Sequence, residues 1–127
     1  MTFDFKKEFK EFYLPPKKPV IVDVPAMNYV AVFGEGNPNI EDGAYKNSIG
    51  LLYAISYIVK MSKLGNHKID GFFDYVVPPL EGLWWLKDSK QFDFSRKDDF
   101  CWVSMIRLPD FVTKEEFDWA IREATDK

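Results

Sequence analysis

The spacing of apolar and polar positions changes several times along the chain. Phe5, Phe9 and Phe12 recur at helical spacing among lysines, which predicts a short amphipathic helix ended by Pro15-Pro16. Val20 to Val24 predicts a short strand broken by Pro25, and Asn28 to Phe33 a second run of strand formers. Gly34-Glu35-Gly36-Asn37-Pro38-Asn39 then has the composition of a loop. From Gly43 to Lys63 the period becomes helical. Ile49, Leu52, Ser56 and Val59 share one stripe, with Tyr45, Tyr53 and Tyr57 close beside it. Asp42 is the expected N-cap, and Gly65-Asn66 the expected stop, with Lys60 and Lys63 favouring the helix dipole.

Gly71 to Val77 predicts the next strand, and Gly82 to Leu86 another beyond Pro78-Pro79. The short connection predicts a hairpin-like antiparallel pair. A polar segment from Lys87 to Asp99, anchored by Phe92 and Phe94, leads to a strand from Cys101 to Leu108. Thr113 and Glu116 have capping-box spacing, opening a helix with Phe117, Ile121 and Ala124 on one stripe that runs to the last residue. Strands joined by short turns and one long helix predict an α+β fold, an antiparallel sheet with helices on one face. The other face needs a cover, because 22 aromatic residues (Phe 12, Tyr 6, Trp 4) are too many for a solvated one.

Within this order, Pro78-Pro79-Leu80-Glu81-Gly82-Leu83-Trp84-Trp85 stands out. Each tryptophan can bury roughly 150–250 Å². On a strand, Glu81, Leu83 and Trp85 would face one side, and Gly82 and Trp84 the other. Glu81 is either a turn residue pointing into water or a partly desolvated acid, suited to proton transfer or to attracting a cation.

Length and charge narrow the classes. A chain of 127 residues is one domain, 1–127, with room for one core. A net charge of -3 argues against direct nucleic-acid binding, and no helix-turn-helix signal is present. Lone Cys101 excludes an internal disulfide framework and fits a reducing compartment. Without a signal-peptide pattern, or any run near the ~18 apolar residues of a membrane span, the expectation is a cytoplasmic protein with no membrane partner. One His67 and one Cys101 give neither a metal site nor a nucleophile–histidine pair, so no metal or cofactor is expected. The Gly34-x-Gly36 pair lacks the third glycine of a dinucleotide loop and any Gly-Lys-Ser/Thr. The abundant rings form either a core or the walls of a ligand cavity.

Phe33-Gly34-Glu35-Gly36-Asn37-Pro38, the helix bearing Leu52-Tyr53, Tyr57 and Lys60-Met61, the run Val77 to Trp85, and Trp102-Val103-Ser104-Met105-Ile106 together resemble the GyrI-like small-molecule-binding family, in its free-standing branch. The resemblance covers most of the chain from Phe5 onward, and Pro-Leu-Glu-Gly-Leu-Trp-Trp is its most specific part. It implies two β-α-β-β modules related by a pseudo-twofold, with a ligand cleft between them. Relatives are effector-binding domains of multidrug-sensing regulators that take bulky, often cationic compounds. Some free-standing relatives hydrolyse cyclopropane-bearing alkylating natural products. By this resemblance Glu81 and Tyr57 would be catalytic, and Trp84, Trp85, Tyr53, Trp102, Tyr75 and Met105 would line the ligand. Either detoxifying hydrolysis or non-catalytic drug sensing would follow. The chain stops after the first module and the helix opening the second, which implies a fragment or a second copy supplying the other half. An open sheet edge would then favour a homodimer.

Overall fold

Nine consecutive residues without glycine or proline, Phe100–Leu108, build the middle of the sheet (β5). The computed structural model describes residues 2–14, 24–41, 43–88, 91 and 93–125. β5 pairs antiparallel on one side with β2 (Asn28–Glu35) and on the other with β4 (Glu81–Leu86), giving the order β2-β5-β4. Strand alternation then sorts the side chains. Phe100, Trp102, Ser104, Ile106 and Leu108 share one face with Val30, Val32, Trp84 and Leu86. Cys101, Val103, Met105 and Arg107 share the other with Tyr29, Phe33, Glu81, Leu83 and Trp85.

The first of these faces is covered by α3 (Ala44–Lys60), whose buried stripe is Ser48, Leu52, Ile55, Ser56 and Val59. Leu52, Val59, Val30 and Ile106 are buried to within a percent in the main core, where a large aliphatic side chain contributes roughly 1.5–3 kcal/mol. A 3-10 turn, Met61–Leu64, continues α3 to Gly65. The last helix, α4 (Lys114–Thr125), packs on α3 through buried Ala120. Gly34 is dictated by packing, since a Cβ there would lie 2.4 Å from Cη2 of Trp102, whose indole crosses the strand.

The result is a mixed α/β fold with an antiparallel three-stranded sheet, and α3 and α4 on one side of it. Several boundaries differ from the sequence expectations. The segment 71–77 does not form a hairpin with 82–86. Only Tyr75–Val76 (β3) is extended into a ladder, and it pairs in parallel with Phe3–Asp4 (β1). Pro78 and Pro79 have no N–H to extend a ladder, so β4 takes its partner from the long β5 instead. The predicted first helix is broken at Phe9 into two single turns, α1 (Phe5–Glu8) and α2 (Lys10–Tyr13). β2 runs two residues further than predicted, through Gly34 and Glu35. The expected strand at 20–24 lies outside the described residues except for its last, exposed residue Val24. Pro15-Pro16, the Asp42 cap and Phe92 also lie outside them.

The capping box at the start of α4 is half formed. The Glu116 N–H donates to Thr113 Oγ1 at 3.3 Å, but the Glu116 carboxylate turns instead to His67 Nε2 at 2.5 Å. His67 lies flat on Trp119 with ring centroids 3.9 Å apart. Among the described residues no helix is long and apolar enough to cross a membrane.

Candidate functional site

The sheet face turned away from α3 and α4 leaves large apolar side chains uncovered. Phe33 is 64% exposed, Leu83 59% and Trp85 38%. The Phe33 and Trp85 rings lie 5.7 Å apart across the strands and form an aromatic floor. At the other end of this face the surface turns polar. Arg107 opposes Tyr29 in the β2–β5 ladder, and Glu81 opposes Met105 in the β4–β5 ladder, so Glu81 and Arg107 are diagonal neighbours. Such pairs sit roughly 7–8 Å apart at Cα, leaving room between the two charged ends.

The N-terminal segment closes around this end. The Arg107 guanidinium lies over the rings of Phe5 and Phe9, 4.6 and 4.9 Å from their centroids. Tyr13, which ends α2, brings its hydroxyl toward Arg107 and Glu81. The Tyr29 hydroxyl donates weakly to Met27 Sδ at 3.5 Å.

This corner is crowded with unmet polar groups. Tyr13 Oη, Glu81 Oε2, and Arg107 Nε and Nη1 are buried with no hydrogen-bond partner among the described residues. None of the ion pairs joins Glu81 to Arg107. The guanidinium lies near enough to the Tyr13 hydroxyl to pull against the rise of its pKa, but the two make no formed hydrogen bond. Burial pushes the Glu81 carboxyl above the usual range, against the opposing pull of Arg107. Burial, followed by the Glu81 charge, also raises both Tyr13 and Tyr29. An acid whose pKa rises and two hydroxyls held as neutral donors are a combination suited to moving protons.

The sequence-predicted site residues are divided by the sheet. Glu81, Trp85 and Met105 lie on the open face. Trp84 is on the helix side, 5.0 Å from the ring of Tyr45, so the two indoles do not share one recess with the acid. Beside Trp84 is an apolar hollow of about 450 Å³ lined by Pro38, Trp84, Phe94 and Phe100. Trp102 is sealed in the packing beneath Tyr45, and Tyr75 is sealed in the main core. Tyr53 and Tyr57 stack 6.4 Å apart along α3, and Tyr57 borders a hollow with Met61 and Ala124. Tyr57 therefore lies across the sheet from Glu81.

Sequence reading missed Arg107, Tyr13 and Tyr29. The arginine was the legible signal, a charge inside an otherwise apolar strand. Among the described residues no group of three His, Cys, Asp or Glu side chains is placed to hold a metal, and free Cys101 is buried.

No family model and no curated protein matches the chain. Solved structures from Listeria innocua do. An uncharacterized conserved protein is 47% identical with a TM-score of 0.88, over 98% of this chain and 59% of its own. A hydrolase is 45% identical with a TM-score of 0.84, over 99% of this chain and 61% of its own. A structure of a hydrolase encoded by lin2189 is 46% identical with a TM-score of 0.88, over 99% of this chain and 60% of its own. The chain thus spans about 60% of the length of the structures it matches.

Proposed function

We propose that the chain is the GyrI-like binding half of a small-molecule hydrolase, with the ligand on the open sheet face. The observation that carries this reading is the convergence of Glu81, Arg107 and Tyr13, with unpartnered buried polar atoms, at the end of an uncovered aromatic floor. Buried polar groups are ordinarily satisfied, and several orphans at one point imply a missing polar partner. The hydrolase names of two similar structures agree with a hydrolytic role.

The substrate class proposed is a planar molecule bearing a strained cyclopropane conjugated to a carbonyl. Phe33 and Trp85 stack on its plane and hold it. The water oxygen bonds to a ring carbon, the ring C–C bond breaks, and its electron pair passes to the conjugated carbonyl oxygen. The Glu81 carboxylate takes the proton that water loses, and the Tyr13 hydroxyl donates one to the carbonyl oxygen. Positioned acid–base groups of this kind contribute about 10²–10⁴ in rate.

Mass-spectrometric ring opening of a cyclopropane-bearing alkylator tests the reading. Glu81→Gln should lower turnover at least tenfold while binding stays largely intact. Unchanged turnover removes Glu81 from the mechanism. The second reading, a sensor or sequestering module, is favoured by the hollow beside Trp84, which offers apolar walls and no acid. It predicts tryptophan quenching by a flat ligand with no turnover at all.

A further inference from the structure

Arg107 is an odd residue to find in a central strand. It is nine-tenths buried, flanked in sequence by buried Ile106 and Leu108, and has two guanidinium nitrogens without a partner among the described residues. A buried cation normally has a carboxylate or carbonyl oxygen to receive its N–H groups, because removal from water otherwise goes uncompensated. Here the nearest acid by register, Glu81, makes no ion pair with it and itself keeps a buried, unpartnered oxygen. What surrounds the guanidinium instead is the Tyr13 hydroxyl, near it without a formed hydrogen bond, and two phenyl rings, Phe5 and Phe9, which accept the positive charge on their faces. The rings fix the plane of the fork and leave its edge unused.

Resting on the reading of this face as the ligand site, we propose that the unused edge of Arg107 anchors an anionic oxygen of the ligand. The ligand would then be a planar molecule carrying a carboxylate, or an oxyanion formed by conjugation, rather than a cation. A guanidinium held in one orientation matches a carboxylate with two parallel N–H···O bonds. Glu81 and Tyr13 supply the neighbouring donors and acceptors. The aromatic floor takes the remainder of the molecule, so apolar plane and charged end follow the layout of the site itself.

Isothermal titration with naphthalene-2-carboxylate, its neutral carboxamide and 2-naphthylmethylammonium tests this on the wild-type protein, Arg107→Met and Arg107→Lys. The carboxylate should bind at least about tenfold more tightly than the carboxamide, the size of one good charge-assisted contact. Arg107→Met should erase that preference, and Arg107→Lys should keep part of it. Melting curves confirm that each variant is folded. Equal affinity for carboxylate and carboxamide, a preference that survives in Arg107→Met, or tightest binding of the ammonium would each overturn the anchor. The hydrolase reading fails separately. If carboxylate preference tracks Arg107 while a cyclopropane-bearing alkylator is never opened, the anchor stands and hydrolysis falls. If the alkylator is opened equally well by wild type and Arg107→Met, hydrolysis stands and the anchor falls.

Discussion

Arg107→Met should make the protein more stable. The wild-type side chain is 9% exposed and leaves Nε and Nη1 without partners among the described residues. A buried unsatisfied donor costs about 1–3 kcal/mol, so the two together cost about 2–6 kcal/mol. The contacts with the Phe5 and Phe9 rings return about 0.5–2 kcal/mol each. Methionine has a similar length and can lay its sulfur against the same rings, so the apolar packing is largely kept. The balance favours methionine by about 1–2 kcal/mol, in line with the gain when buried charges are replaced by well-packed apolar residues. For 127 residues the unfolding entropy is ~0.27 kcal/mol/K, which converts that gain to a Tm rise of about 4–8 °C. Calorimetry at neutral pH on wild type and Arg107→Met reads it directly. A fall in Tm of several degrees would refute the reasoning, because it would mean that the guanidinium holds the N-terminal turns in place rather than waiting for a ligand.

Two further outcomes concern stability. Glu81 titrates above its usual value in the folded protein, so the folded state holds that proton to higher pH than the unfolded chain. Its contribution is therefore favourable below the ordinary carboxylate range and lost as pH rises through the raised value. Glu81→Gln should gain in Tm relative to wild type between pH 4 and 7; a difference that is flat with pH would contradict the burial of this acid. Asp74 behaves oppositely. The Lys63 hydrogen bond first, then that of Thr2, holds it down to about 2, so its contribution is present above 3.8 and lost as pH falls toward about 2. Asp74→Asn should remove that acid limb from the same Tm series. Finally, Gly34→Ala would put a methyl group against the Trp102 ring and cost about 1–3 kcal/mol, with a changed near-ultraviolet spectrum. A wild-type melting curve would mean that Trp102 does not cross the strand there.

Periodicity made the helices and the long strands legible. Of the predicted stripe Ile49, Leu52, Ser56 and Val59, the last three are buried and Ile49 is half-buried, and the alternation of Glu81, Leu83 and Trp85 against Trp84 holds on the folded strand. Pairing was not legible in the same way. Whether Gly82 to Leu86 would join the preceding or the following segment depended on which neighbour offered a longer ladder, a tertiary matter that local sequence does not encode. Glu116 illustrates the same limit, since its spacing suits a capping box but His67, 49 residues away, competes for the carboxylate. The open-face site assembles Tyr13, Tyr29, Glu81 and Arg107 from four separate segments. Only Glu81 lay inside a run unusual enough to attract notice. Arg107 would have been found by asking why a charge interrupts an apolar strand.

Methionine positions offer a direct test of where the ligand sits. Met105 lies opposite Glu81 on the open face, whereas Met61 follows α3 and borders the hollows on the helix side. In protein labelled with ¹³C at the methionine methyls, naphthalene-2-carboxylate should move the Met105 resonance saturably and leave Met61 in place. A saturable shift of Met61 with Met105 unmoved would place the ligand on the other side of the sheet and contradict the account.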